Sequence, residues 1–179
     1  MKLTNYSSQP QLTKIETLYL SAFPAQERKP FSLLVQKSLE GIVELLAIED
    51  EKNGFLGLAI TVLHKNLVLL DYFAIDPKLR GQNIGSQTLR LLKERYASKE
   101  LILEIEDPRE PSPNQAERIR RKSFYLKNEM KVMPYPVDLF GVKMLILTCG
   151  RSVSFPEYHE IYRSCFSEKI SSNIKLLPS

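Results

Sequence analysis

In the stretch DPKLRGQNIGSQTLRLLKER, residues 76–95, arginine, glutamine, asparagine and two glycines crowd the turn that leads into a helix. The first N–H groups of a helix have no intrahelical partner, and the helix dipole leaves that end partly positive. Such a turn suits an anion, phosphate above all. Two familiar phosphate loops do not fit. A dinucleotide fingerprint needs a third glycine and an acidic residue about 20 positions on, and a Walker loop needs Gly-Lys-Ser/Thr. Other chemistry-bearing residues are sparse. His64 and His159 are the only histidines, and no Ser-His-Asp or Cys-His set is legible. Cys149 and Cys165 stand singly, so they read as reduced, packed thiols, and no metal site is expected. The run ERIRRK carries Arg118, Arg120, Arg121 and Lys122. Spread round a helix, they read as solvated surface, with phosphate contact as the alternative. No interleaved aromatics or RNA-binding fingerprint accompanies them, so no nucleic-acid partner is expected.

The elements that must carry these groups follow from periodicity. QLTKIETLYLSAF (11–23) places Leu12, Ile15, Leu18, Tyr19, Ala22 and Phe23 at helical spacing, and SLLVQKSLE is a second short helix. IVELLAIED and FLGLAITVL are β-type runs separated by EKNG, whose Asn53-Gly54 pair predicts a hairpin turn. LVLLDYFAID leads into the opening motif, and the helix after it buries Leu89, Leu92 and Tyr96. The strand LILEIED and a proline-rich loop precede a basic helix over about 116–127, with Ala116, Ile119, Ser123 and Leu126 expected on its core side. VMPYPVDLF and VKMLILT read as a closing strand pair around Gly141. Ser154 and Glu157 form an S-x-x-E capping box for an amphipathic last helix.

The 179 residues, 43% hydrophobic and 26% charged, are those of an ordinary globular chain. A net charge of +4 favours anionic ligands slightly. No apolar run approaches the ~20 residues needed to cross a bilayer, and MKLTNYSSQP lacks a signal-peptide core. A cytoplasmic protein with no membrane partner is expected.

The motif RGQNIGS (80–86), preceded by the strand YFAIDP and followed by a helix, resembles the acyl-CoA signature R/Q-x-x-G-x-G/A of the GNAT acetyltransferases. Arg80 and Gly85 match its first and last positions; Asn83 stands where glycine is usual, and asparagine tolerates left-handed backbone better than other side chains. FYLKNEM (124–130) resembles the family's F-Y-x-x-x-G-F, with Glu129 in place of glycine and Met130 in place of the aromatic. The resemblance covers most of residues 10–148, and with the RKPF and LFGVKM stretches the chain resembles GNAT proteins of low-GC Gram-positive bacteria. It implies an α+β (mixed α/β) fold with a mostly antiparallel central sheet flanked by helices. Residues 1–150 would be the acetyltransferase domain, and 151–179 an extra C-terminal helix and tail packed on it.

The resemblance implies direct transfer of acetyl from acetyl-CoA to a primary amine. Such transfer needs a deprotonated amine, a polarised carbonyl and a protonated leaving thiolate. Arg80, Gly81, Gln82, Asn83, Ile84, Gly85 and Ser86 would cradle the coenzyme A diphosphate, and the backbone of Phe73, Ala74 and Ile75 would face the carbonyl. Tyr125 is the candidate acid, since tyrosine does not titrate near neutral pH. The base is open between Asp71, Glu104 and Glu106. The last two lie two apart on a strand, hence on one face, where repulsion readies one of them to take a proton. Glu27, Arg28 and Tyr135 are candidates for the acceptor side, with Glu106 as a further one. The acceptor would be a small-molecule or peptide amine, and family habit favours a homodimer. Two alternatives stay open: a non-catalytic acyl-CoA sensor, and a small basic nucleic-acid-binding protein using helix 116–127.

Overall fold

The computed structural model describes residues 1–52 and 54–178, so the Asn53 half of the expected Asn53-Gly54 turn lies outside the described residues. The chain forms two compact units, Met1–Leu63 with Leu70–Ala97, and His64–Leu69 with the chain from Ser98 onward. Strands and helices are mixed in both. Among the described residues no helix is long and apolar enough to cross a membrane.

The first unit holds strand β1 (Lys2–Asn5), helices α1 (Gln9–Ala22) and α2 (Phe31–Leu39), and strands β2 (Val43–Asp50) and β3 (Gly54–His64). Most of β4 (Leu67–Ile75) and helix α3 (Ile84–Arg95) complete it. The strands lie in the order β1-β2-β3-β4, with β1–β2 and β2–β3 antiparallel. β2, β3 and β4 are near-continuous apolar runs because both faces are covered, and Leu46, Ile48, Leu58, Ile60, Val68 and Leu69 are fully buried. α1 turns Ile15, Leu18 and Tyr19 inward, and α3 turns Thr88, Leu89 and Leu92 inward. β1 was not foreseen. Four residues carry too little periodicity to read, and Leu3 opposite Ile48 is what places the strand.

The second unit contains β5 (Glu100–Glu106), α4 (Gln115–Lys127), β6 (Lys131–Leu139), β7 (Val142–Thr148), α5 (Phe155–Cys165), α6 (Glu168–Ser171) and β8 (Ile174–Leu176). Its strands run β5-β7-β6-β8, each pair antiparallel. The β6–β7 hairpin closes on Phe140-Gly141, both with positive φ, as a tight two-residue turn requires. The Ser154–Glu157 capping box forms as expected. The Glu100 carboxylate accepts the N–H groups of Cys149, Gly150 and Arg151 at 3.0, 2.7 and 3.0 Å, tying the end of β7 to the start of β5. α6 and β8 were not foreseen, again being too short to show a period.

The face of α4 differs from expectation. Ile119 and Leu126 are 51% and 45% exposed, while Tyr125 is buried and the Arg118 side chain is 13% exposed. Glu106 explains the rotation. Its carboxylate pairs with Arg118 at 2.6 Å and Arg121 at 2.7 Å, so charge pairing with β5 turns the helix and leaves its apolar stripe outside.

Candidate active site

In the first unit the chain leaves β4 through Asp76, whose carboxylate accepts the Lys78 N–H at 2.9 Å and closes a short 3-10 turn at Pro77–Leu79. Leu79 and Ile84 then pack into a cluster with Ile48, Leu56, Phe73 and Ile75. These apolar anchors hold both ends of the turn while residues 80–83 stay exposed. Gly81 and Asn83 both adopt left-handed backbone, at φ 79° and 60°. Asn83 therefore occupies the geometry a glycine would, and α3 begins at once behind it. Among the described residues the backbone N–H groups of 81–86 have no backbone acceptor, and no acidic residue sits in the first turn of α3. Three of them, on Ile84, Gly85 and Ser86, are the first N–H groups of α3, the end of a helix that suits an anion.

β4 feeds this turn. A Cβ on Gly57 would lie 2.3 Å from the Ala74 carbonyl oxygen and 3.0 Å from Ile75 Cα, so only glycine permits this approach of β3 to β4. The Ala74 carbonyl thus faces β3, as does the Asp76 N–H, which donates to Leu56 O at 2.9 Å. In a trans peptide unit the Ile75 N–H opposes the Ala74 carbonyl and faces away from β3. Strand alternation gives the Phe73 N–H the same direction and turns that of Ala74 toward β3.

Asp71 lies upstream on the same strand. Both of its carboxylate oxygens accept from Lys29 Nζ at 2.8 Å, with the two side chains only 4% and 18% exposed. The Lys29 ammonium also sits 5.3 Å from the Tyr72 ring centroid. Backbone bonds tie the same segment down: Lys29 N–H donates to the Tyr72 hydroxyl, Tyr72 donates to Glu27 O, and Tyr19 donates to Lys29 O. Tyr19, Phe23, Phe31 and Tyr72 pack ring on ring around this tie. Arg28, expected on the acceptor side, donates to Leu20 O at 2.9 Å, and Glu27 is exposed. An open groove of about 380 Å³ runs between α1, at Lys14, Thr17 and Ser21, and the Asp76–Pro77 corner.

In the second unit the two β5 carboxylates are each held by donors. Glu106 lies between Arg118 and Arg121, and Glu104 accepts from the hydroxyls of Tyr158 and Tyr162 of α5. The repulsion expected between them is answered by these separate partners. Tyr158 is pushed well up, first by burial and then by the Glu104 charge. Tyr125 sits buried in the last turn of α4. Burial pushes its phenol up to about 12, against a smaller lowering by Arg121. The helix ends just beyond in a Schellman motif: Met130 N–H bonds Tyr125 O, Glu129 N–H bonds Leu126 O, and Glu129 has φ 64°. Glu129 thus holds the left-handed position where the resembling motif has glycine. Tyr135 donates to Val153 O at 2.8 Å, and burial followed by Glu157 moves its phenol up to about 12. His159 Nε2 lies 2.9 Å from Ser171 O, and His64 Nδ1 lies 3.8 Å from Cys165 Sγ.

The sequence reading passed over three residues that matter here: Lys29, Gly57 and Tyr72. Gly57 in an otherwise apolar strand was a visible sign of close backbone approach. Lys29 and Tyr72 gave none, because their partners lie 42 to 45 residues away.

No family model and no curated relative matches the chain. Solved structures do. A GNAT-family protein from Bacteroides thetaiotaomicron superposes with a TM-score of 0.77 at 18% identity, covering 93% of this chain and 98% of its own. An aminoglycoside 6'-N-acetyltransferase complexed with coenzyme A gives 0.65 at 12% identity, over 86% of this chain and 100% of its own. A variant of spermidine N-acetyltransferase from Vibrio cholerae gives 0.63 at 12%, over 83% and 94%. The chain has the fold of the GNAT acetyltransferases.

Proposed function

We propose that this chain, folded as a GNAT acetyltransferase, transfers acetyl from acetyl-CoA to a primary amine. The observation that carries the reading is the turn at 80–86, where left-handed Gly81 and Asn83 lead into three unused N–H groups at the start of α3. That turn fits a diphosphate, and Arg80 adds a positive charge beside it. One similarly folded structure contains coenzyme A. Acetyl-CoA supplies the activated acetyl thioester.

The chain's residues divide the remaining work. The N–H groups of Phe73 and Ile75, directed away from β3, are donors for a carbonyl oxygen that gains charge. Asp71 takes the proton from the acceptor ammonium, which exchanges for Lys29 Nζ on the carboxylate. It is the preferred base, because Glu106 is clamped by two arginines and Glu104 by two phenols. Tyr125, held protonated by burial, donates to the leaving sulfur. A phenol near 12 is a weaker acid than a thiol near 8.5, so it stabilises the thiolate by a hydrogen bond rather than by complete proton transfer. Acceptors of the kinds named for structures of this fold, spermidine and aminoglycosides, are the first to try.

The test is thermal unfolding with acetyl-CoA, with ATP and NAD as controls, followed by thiol release with an amine panel. Ligand at about 100 times its dissociation constant adds roughly 2.7 kcal/mol, several degrees in a chain of this size. A shift specific to acetyl-CoA with amine-dependent thiol release supports the reading. No shift refutes the donor site. A shift with no turnover across the panel leaves an acyl-CoA-binding protein, the reading that the occupied state of Asp71 would then favour.

A further inference from the structure

The structure holds one amine on the candidate base, and it belongs to the chain itself. Lys29 Nζ lies 2.8 Å from both oxygens of Asp71, a carboxylate with only 4% of its side chain exposed. The backbone on either side of that amine is fixed through Tyr19 and Tyr72, so the side chain is presented from an anchored segment. Asp71, Phe73 and Ile75 alternate onto one face of β4, with Phe73 two residues, roughly 7 Å, from Asp71. A lysine side chain has four rotatable carbons and can sweep that distance without moving its backbone. Its 18% exposure leaves a path outward.

We propose that Lys29 is a self-acetylation site, modified within the same molecule when acetyl-CoA is bound and no other amine is present. The inference rests on the acetyltransferase reading above. One proton of the Lys29 ammonium passes to Asp71, and the freed nitrogen pair forms the N–C bond to the acetyl carbon. The C–S bond breaks, the departing coenzyme A thiolate takes up the second N–H proton and leaves as the thiol, and Asp71 releases the proton it took to solvent. Acetyl-CoA is the only co-reactant, and nothing is oxidised or reduced. The product amide carries no charge, so the ion pair with Asp71 is lost while the backbone ties through Tyr19 and Tyr72 remain. Asp71 is then open to an external ammonium, and the first turnover converts an occupied base into an available one.

The experiment uses the unmodified full chain. It is incubated with isotope-labelled acetyl-CoA and no acceptor, at several protein concentrations, and acetyl groups are located by peptide mass mapping. Acetyl-CoA binding is measured on the same samples by thermal shift. The expected result is one acetyl group per chain on Lys29, formed at a rate independent of protein concentration. That rate should be at least roughly tenfold above that of exposed lysines, as for a positioned intramolecular amine. D71N, checked for folding and acetyl-CoA binding, should lose that excess. Lys29 acetylated no faster than exposed lysines in a chain that binds acetyl-CoA overturns the inference and leaves the acetyl-CoA reading intact. Absence of acetyl-CoA binding overturns both. Rapid Lys29 labelling that persists in D71N overturns the role given to Asp71. The mapping on the wild-type chain decides the site even if D71N fails to fold.

Discussion

Gly57→Ala is the perturbation that most directly tests how β4 serves the site. Gly57 has no left-handed φ, so its substitution costs contact and not backbone strain. The added Cβ would stand 2.3 Å from Ala74 O, where ordinary contact begins at about 3.4 Å. The Ala74 carbonyl must therefore retreat by about 1 Å. Ile48 Cδ1 at 3.2 Å blocks movement of the methyl the other way. Overfilling of this kind costs typically 1–3 kcal/mol, or about 2–4 °C of melting temperature per kcal/mol at this size. The functional cost is separate. The Ala74 carbonyl and the Ile75 N–H share one rigid peptide plane, so displacing the first re-aims the second. A misplacement of ~1 Å at a charge-stabilising donor costs on the order of a hundredfold in turnover. The assay pairs thermal unfolding with coenzyme A release at saturating acetyl-CoA. G57A should melt several degrees lower, still show an acetyl-CoA shift from the untouched 80–86 turn, and turn over about a hundredfold more slowly. A variant with wild-type melting and wild-type release would refute the argument that Gly57 sets the position of β4.

Other outcomes follow from the same geometry. Glu129→Gly should stabilise the chain by about 1 kcal/mol, since left-handed backbone costs a non-glycine residue roughly 1–2 kcal/mol and glycine's extra unfolded-state freedom returns part of that. A rise of 2–4 °C in melting temperature is the readout. Glu100→Ala removes the acceptor of three backbone N–H groups and should cost about 3 kcal/mol in urea unfolding. Tyr125→Phe should reduce turnover while leaving the acetyl-CoA thermal shift unchanged. Glu157 is held down to about 2, first by the Ser154 N–H and then by Arg151 and the Ser154 hydroxyl. Its folded value is depressed, so its contribution is complete above the unfolded value near 4.3 and is lost as pH falls toward about 2. The stability gap between wild type and E157Q should be present at neutral pH and close across that window in acid unfolding.

What the sequence made legible was local chemistry. The Asn83 turn, the Phe140-Gly141 hairpin and the Ser154–Glu157 box are each written within a few consecutive residues, and each forms. Asn83 and Glu129, the two departures from the resembling motifs, occupy the backbone conformation that glycine would supply. What was not legible depended on distant partners. The inner face of α4 was misread because the apolar spacing of Ile119 and Leu126 pointed one way, while Glu106 drew Arg118 and Arg121 the other. The expectation that Glu104 and Glu106 would sensitise each other counted their shared strand face but not the donors from α4 and α5. Asp71 was singled out as a candidate base, but nothing within 40 residues of sequence announces that Lys29 sits on it.

The outermost strands carry a consequence of another kind. In the first unit the sheet ends at β1, four residues long, and in the second at β8, three residues long. An edge strand offers unpaired backbone to any other extended chain, and the hazard grows with the length of the exposed row. Here each row is about one lysine-bearing repeat, with Lys2 in β1 and Lys175 in β8. A foreign strand docking there would gain few hydrogen bonds and meet a charge while doing so. The two strands that left no trace in the hydrophobic pattern thus act as terminators, and lengthening either with apolar residues should promote edge-to-edge association.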